Sequence, residues 1–143
     1  MEYGAIEREI HIAAAPEVVY DVITRPEHLK AWWGVDARFE DGTMSWHRKE
    51  RSTTVRCQVV EDEAPKRFVF RWLQPDGEAA TPENSFLVTF ELAPADGGTT
   101  LRLTEAGFRE VGWEAAKLEE QYRSHSLGWD EHLADLVKYA ADR

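Results

Sequence analysis

The side chains best suited to chemistry in this 143-residue chain are five histidines, one cysteine and a set of tryptophans. The histidines are His11, His28, His47, His125 and His132. A helical zinc site needs two histidines four residues apart with an acid beside them, because that spacing sets both rings on one face. No pair here has it. His125 and His132 stand two helical turns apart, roughly 10 Å of rise, too far to share one ion. The lone Cys57 excludes a disulfide within the chain and a multi-thiolate zinc centre. It sits mid-strand with no sequence sign of activation and reads as a small core residue. "ADGG" (residues 95–98) is a hairpin turn, not a glycine-rich loop between a strand and a helix, so it cradles no phosphate. No Ser-His-acid triad is legible. The sequence therefore assigns no catalytic residue, no metal and no cofactor.

What remains is aromatic surface and one well-placed carboxylate. "HLKAWWG", residues 28–34, sets Trp32 beside Trp33. Neighbours on a helix point about 100° apart, so the two rings are expected to fill different places. One would anchor the segment to the core and the other would stand near a binding site; the division of labour stays open, with Trp33 taken as the ligand candidate. The plain alternative is that both close one end of the fold.

The elements that position these groups follow from periodicity. "AIEREIHI" alternates, with Ile6, Arg8, Ile10 and Ile12 on one face, which marks a half-buried strand. "APEVVYDVIT" and "PEHLKAWWG" read as two short helices, each with a proline suited to its first turn. Gly34 is placed to end the second in a left-handed conformation. A β region follows. "VDARF" turns at Asp41-Gly42 into "TMSWHRK"; "TTVRCQVVED" and "RFVFRWLQ" flank the turn "EAPK". "QPDGEAATPEN" is a loop. "SFLVTFELAP" and "TTLRLTEAGF" flank "ADGG". Phe68, Phe70 and Trp72 share one face, as do Phe86, Val88, Phe90 and Leu92, and Leu101, Leu103 and Glu105. Trp46 and His47 must point to opposite faces, so one of them reaches the interior. The last segment is helical: Trp129, Leu133, Leu136 and Ala140 form an apolar stripe that Leu118, Tyr122 and His125 extend. Gly128 inside it costs about 1 kcal/mol against alanine and is expected to have a packing or cavity reason.

Hairpins imply an antiparallel sheet, and the long helix is its natural cover. Three stretches carry a resemblance: "PEHLKAWWG", "FLVTFELAPADGGTTLRLTEAGF" and "HSLGWDEHLADLVKYA". Together they resemble the activator of heat-shock-protein-90 ATPase homologue family, within the START-like (SRPBCC) superfamily that also holds the birch-pollen allergen. The resemblance implies an α+β helix-grip fold: a curved antiparallel β-sheet wrapped around a long C-terminal α-helix, with two short helices after the first strand and a cavity inside. It implies one START-like domain over residues 1–143. The eukaryotic co-chaperones of the family carry a further N-terminal domain, which is expected to be missing here. In such a sheet the first and last strands are antiparallel neighbours, so Arg8 is expected near the inward-facing Glu105. The two would form an internal ion pair, or Glu105 would orient a polar ligand group.

Charge narrows the partners. Seventeen basic residues face 27 acidic ones, a net charge of −10. That sign disfavours nucleic acid and anionic membrane surfaces, both of which bind through Lys and Arg. No apolar run approaches a membrane span, and the N-terminus does not read as a signal peptide, which points to the cytoplasm. The preferred reading is non-catalytic binding of a small apolar or aromatic, lipid-like molecule between the sheet and the last helix. Its candidate contacts are Trp33, Trp46, Phe70, Trp72, Phe90, Glu105, Tyr122, His125 and Trp129. The first alternative is a protein-interaction module that meets a chaperone or another protein. The second is a cavity enzyme of cyclase, dehydratase or hydrolase type using Glu105, Tyr122 or a histidine. A monomer and a homodimer both fit the sequence.

Overall fold

The computed structural model describes residues 4–40, 42–48, 53–72 and 79–142. Strand β1 (Ala5–Ile12) leads into helices α1 (Pro16–Thr24) and α2 (Pro26–Trp32). Six strands follow: β2 (Asp36–Glu40), β3 (Thr43–Arg48), β4 (Thr53–Glu63), β5 (Arg67–Trp72), β6 (Phe86–Ala95) and β7 (Gly98–Ala106). Helix α3 (Ala115–Ala141) ends the chain. The strands form one antiparallel sheet in the order β1-β7-β6-β5-β4-β3-β2. Its curved inner face closes on α3 in a helix-grip arrangement, with α1 and α2 packed at one end, as the sequence predicts.

The alternation read from sequence decides which side chains enter the core. Phe68, Phe70, Phe86, Val88, Phe90, Leu101 and Leu103 are buried on the inner face and meet the Trp129–Leu133–Leu136–Ala140 stripe of α3. Cys57 is a free thiol buried in β4, a core residue as expected. Trp46 points inward and His47 outward. A register shift between Val59 and Glu61 breaks the β4–β5 ladder and adds local twist.

The hairpin between β6 and β7 pins the β1–α1 connection. Asp96 and Gly97 both take positive φ, the pattern of a tight two-residue turn. A Cβ on Gly98 would lie 2.2 Å from the Ile12 carbonyl oxygen, so the close approach of β7 to β1 requires glycine. Thr99 Oγ1 then donates to the Ala14 carbonyl at 2.7 Å. Each short helix begins with proline at its first turn, and Gly34, at φ 76°, follows the end of α2. At the β2–β3 turn, Gly42 takes positive φ, while Asp41 lies outside the described residues.

Two expectations are corrected. β1 does pair with β7, but the register sets Ile6 opposite Glu105 and Arg8 opposite Leu103. Arg8 instead reaches over to α3 and pairs with Asp130 at 2.8 Å. Among the described residues, Gly128 has no close neighbour that demands it: a Cβ there would meet nothing within 4 Å. The helix runs through it unbroken, held by the apolar stripe on either side.

Candidate functional site

Glu105 is the centre of the interior. It faces inward from β7 with 0 % exposure, as its strand parity predicts. A carboxylate without partners there would cost several kcal/mol. It has three. Trp72 Nε1, from β5, donates to Oε2 at 2.7 Å. Trp129 Nε1, from α3, donates to Oε1 at 2.9 Å. His125 Nδ1, one turn earlier on α3, lies 3.0 Å from the same oxygen. A carboxylate only accepts, so in this pair Nδ1 carries the proton and donates. Glu105 thus ties two strands of the sheet to the helix through side chains of its own chain.

Around it runs a continuous set of rings. Trp33 sits against Trp46, with centroids 4.4 Å apart, and against Trp129 at 5.7 Å. Trp46 touches Phe70 at 5.4 Å and Trp72 at 5.6 Å. Phe90 bridges Phe70 and Trp129. Trp72 lies 5.7 Å from His125. All the sequence-selected residues except Tyr122 therefore meet in one cluster. Tyr122 stands beside it, packed on Phe108, with its hydroxyl donating to the Ala5 carbonyl at 2.8 Å. The rings touch across the space between sheet and helix, so side chains occupy the region expected to be hollow.

The two tryptophans of "AWWG" differ in one respect. Their rings stack on each other, 5.1 Å apart at 20°, rather than filling separate places. Trp33 is the C-cap of α2, still in the right-handed helical region with its N–H bonded to the Leu29 carbonyl, so the stacking comes from the turning of the two long side chains. Trp32 Nε1 donates to the Val22 carbonyl at 2.9 Å and locks α2 onto α1. Trp33 is 8 % exposed and Trp46 2 %, and the Nε1 of each is buried without a hydrogen-bond partner among the described residues. Buried indole N–H groups normally find an acceptor. Trp32 is the anchor, and Trp33 with Trp46 supplies two free donors.

Several contributors escaped the sequence reading. Phe108 packs on Phe86, Tyr122 and His125. It comes two residues after β7 ends, where strand alternation no longer applies. His132, considered only as a metal ligand, lies 5.4 Å from Trp33; its spacing of one turn from Trp129 was the available signal. Among the described residues, no group of three or more His, Cys, Asp or Glu side chains is placed to hold a metal ion. No helix among them is long and apolar enough to cross a membrane.

The profile of the family described as "Activator of Hsp90 ATPase homolog 1-like protein" matches residues 13–141. The chain belongs to this family. Solved structures share the fold of this chain. Protein MLL2253 from Mesorhizobium loti superposes with a TM-score of 0.75 at 21 % identity, covering 94 % of this chain and 95 % of that one. The Aha1 dimer from Colwellia psychrerythraea gives 0.74 at 20 % identity, with 96 % of each chain covered. Protein BH1534 from Bacillus halodurans gives 0.68 at 22 % identity over 95 % and 96 %. At these identities the likeness is one of fold. No curated protein sequence matches this chain.

Proposed function

We propose that this protein is a non-catalytic binding protein for a small apolar or aromatic molecule that carries a hydrogen-bond acceptor. The ligand would meet Trp33 and Trp46 at the end closed by α2, where these touching rings would have to part to admit it. The observation that carries this reading is the pair of buried, unpartnered indole N–H groups of Trp33 and Trp46. An orphaned buried donor costs about 1–3 kcal/mol, and a ligand oxygen or carbonyl would recover that. The surrounding rings supply the apolar wall that small-molecule sites use, with a few polar groups to fix orientation. Glu105 is structural in this reading, since its acceptor oxygens are already engaged.

The test is native mass spectrometry of the purified protein against its denatured mass, repeated after incubation with fatty acids and aromatic carbonyl compounds. The expected result is an adduct lost on denaturation and lost from Trp33→Phe and Trp46→Phe, which keep an aromatic ring but remove the N–H. A clean mass with every compound overturns the reading. A second reading, contact with another protein, draws on the family description and on the dimer formed by the Colwellia relative. It predicts a stable complex in size-exclusion chromatography with heat-shock protein 90 or between two copies of the chain.

A further inference from the structure

The outer face of the sheet treats its arginines in two ways. Toward β1 they are engaged. Arg102 pairs with Glu9 at 2.9 Å, Arg67 with Glu61 at 2.9 Å and Glu91 at 3.1 Å, and Arg71 reaches Ser85 Oγ at 3.5 Å. Toward β2 the pattern changes. Arg38 lies opposite Ser45, and Ser45 lies opposite Arg56, so two arginines flank one serine in a single row across β2, β3 and β4. Their neighbours Ala37, Trp46 and Cys57 are buried on the inner face, which turns all three residues of the row outward. Among the described residues neither Arg38 nor Arg56 forms an ion pair or hydrogen bond, and the Ser45 hydroxyl has no partner.

In a chain of 27 acidic and 17 basic residues, two arginines left side by side without acids are the exception. Adjacent strands lie about 4.8 Å apart, so the two backbones are roughly 10 Å apart across β3. A pair of arginine side chains leaning over a small serine closes that span. A hollow of about 720 Å³ between α2 and this face opens onto the row, with Arg38 and Ser45 in its wall beside Lys30, Asp36 and His47. Lys30 Nζ stands 3.7 Å from Asp36, so that acid is already offset. Glu27 of α2 also lines the hollow, and Glu40 comes two residues after Arg38 on the same face of β2; both oppose an anion.

We propose that the Arg38–Ser45–Arg56 row holds the phosphate group of a small phosphate monoester, with the rest of the molecule in the hollow toward α2. A guanidinium presents parallel N–H donors that fit two phosphate oxygens, and the serine hydroxyl donates to another. The dianion brings the two negative charges that the two arginines lack. A carboxylate, with one charge and two oxygens, satisfies only one guanidinium. Trp33 and Trp46 belong to the buried interior on the other side of the sheet, so this site stands independently of the binding reading above.

The experiment is an NMR titration of the isotope-labelled full chain with glycerol 3-phosphate and with inorganic phosphate, in mild alkali where both are dianions and at constant ionic strength. The expected result is saturable amide shifts at Arg38, Ser45 and Arg56, with the ester bound at least as tightly as inorganic phosphate. Arg38→Met and Arg56→Met, both exposed changes that leave the core intact, each weaken binding about tenfold or more, and Ser45→Ala about two- to fivefold. Arg102→Met, which removes a paired arginine from the same face, leaves the affinity unchanged, as does Trp33→Phe. Vesicles containing phosphatidic acid form a further arm, and the net charge of −10 predicts no association with them. The proposal is overturned if neither soluble phosphate gives saturable shifts, if inorganic phosphate binds more tightly than the ester, or if only the vesicles bind. It is equally overturned if Arg38→Met and Arg56→Met keep the parent affinity, or if Arg102→Met weakens binding as much as they do, which would mark general attraction of anions.

Discussion

Trp129 Nε1 lies 2.9 Å from Glu105 Oε1, so α3 is tethered to the last strand of the sheet by a bond wholly inside the core. The same carboxylate takes the indole of Trp72 from a strand two places away across the sheet. Glu105→Gln keeps the shape but exchanges one acceptor oxygen for an NH2 donor. At least one indole or imidazole N–H then faces another donor. The expected loss is about 1–3 kcal/mol for each orphaned donor, seen as a lower urea midpoint at an unchanged m-value. A midpoint equal to that of the parent would show that the tether contributes nothing.

Trp32 and Trp33 provide a matched comparison. Replacing either by phenylalanine removes similar ring area from the same stack. Only Trp32 loses a hydrogen bond, the one to the Val22 carbonyl. Trp33 loses an N–H that has no partner among the described residues. Trp32→Phe is therefore expected to be less stable than Trp33→Phe by about 1 kcal/mol in parallel urea melts. The reverse order would mean that the Trp33 indole is satisfied in solution.

Much of this arrangement was legible because strand parity has a period of two. Leu101, Leu103 and Glu105 had to share a face, and that face had to be the one the helix covers. The partners of Glu105 were not legible. Trp72 and Trp129 lie 33 and 24 residues away in the chain, and their meeting depends on the height of α3 along the sheet. Arg8 was the natural guess, having inward parity on the adjacent strand. The register displaces it by one inward pair, and Asp130 on α3 takes it. The stacking of Trp32 on Trp33 was hidden for a different reason. Helical geometry sets the Cβ directions of neighbours 100° apart, but it does not fix where the ends of two long indole side chains turn. Phe108 follows Gly107, whose φ of 112° reorients the chain after β7.

Two glycines are expected to respond in opposite directions to alanine. At Gly98 the new Cβ would fall 2.2 Å from a backbone oxygen of β1, which cannot swing aside as a side-chain tip could. The hairpin must separate from β1 or the β1–α1 turn must shift, with loss of the Thr99–Ala14 bond. A cost of at least about 1–3 kcal/mol is expected. At Gly128 the Cβ meets open space in the middle of a long helix. Alanine there should gain about 0.5–1 kcal/mol through helix propensity. Thermal melts of the two variants test both signs. A destabilised Gly128→Ala would reveal a neighbour that packs there in solution.

The protein is also expected to lose stability in alkali. Burial pushes the Cys57 thiol well above its ordinary range. Burial, followed by the hydrogen bond to Asp62, does the same for the Tyr20 hydroxyl. Both groups are neutral when protonated, and the folded state holds the proton more tightly than the unfolded chain does. Their contribution is therefore complete below the unfolded-state values, about 8.5 for a thiol and about 10 for a tyrosine. Above those values only the unfolded chain ionises, and each group then costs up to about 1.4 kcal/mol of stability per pH unit. Urea midpoints should stay level to the thiol value and then fall, with a steeper decline past the tyrosine value. Cys57→Ala should flatten the first part of that fall, and Tyr20→Phe the second. The same burial predicts that Cys57 reacts with a thiol reagent such as Ellman's reagent only after unfolding. Rapid labelling of the native protein would show that β4 opens readily and would remove the basis for the thiol half of the pH profile.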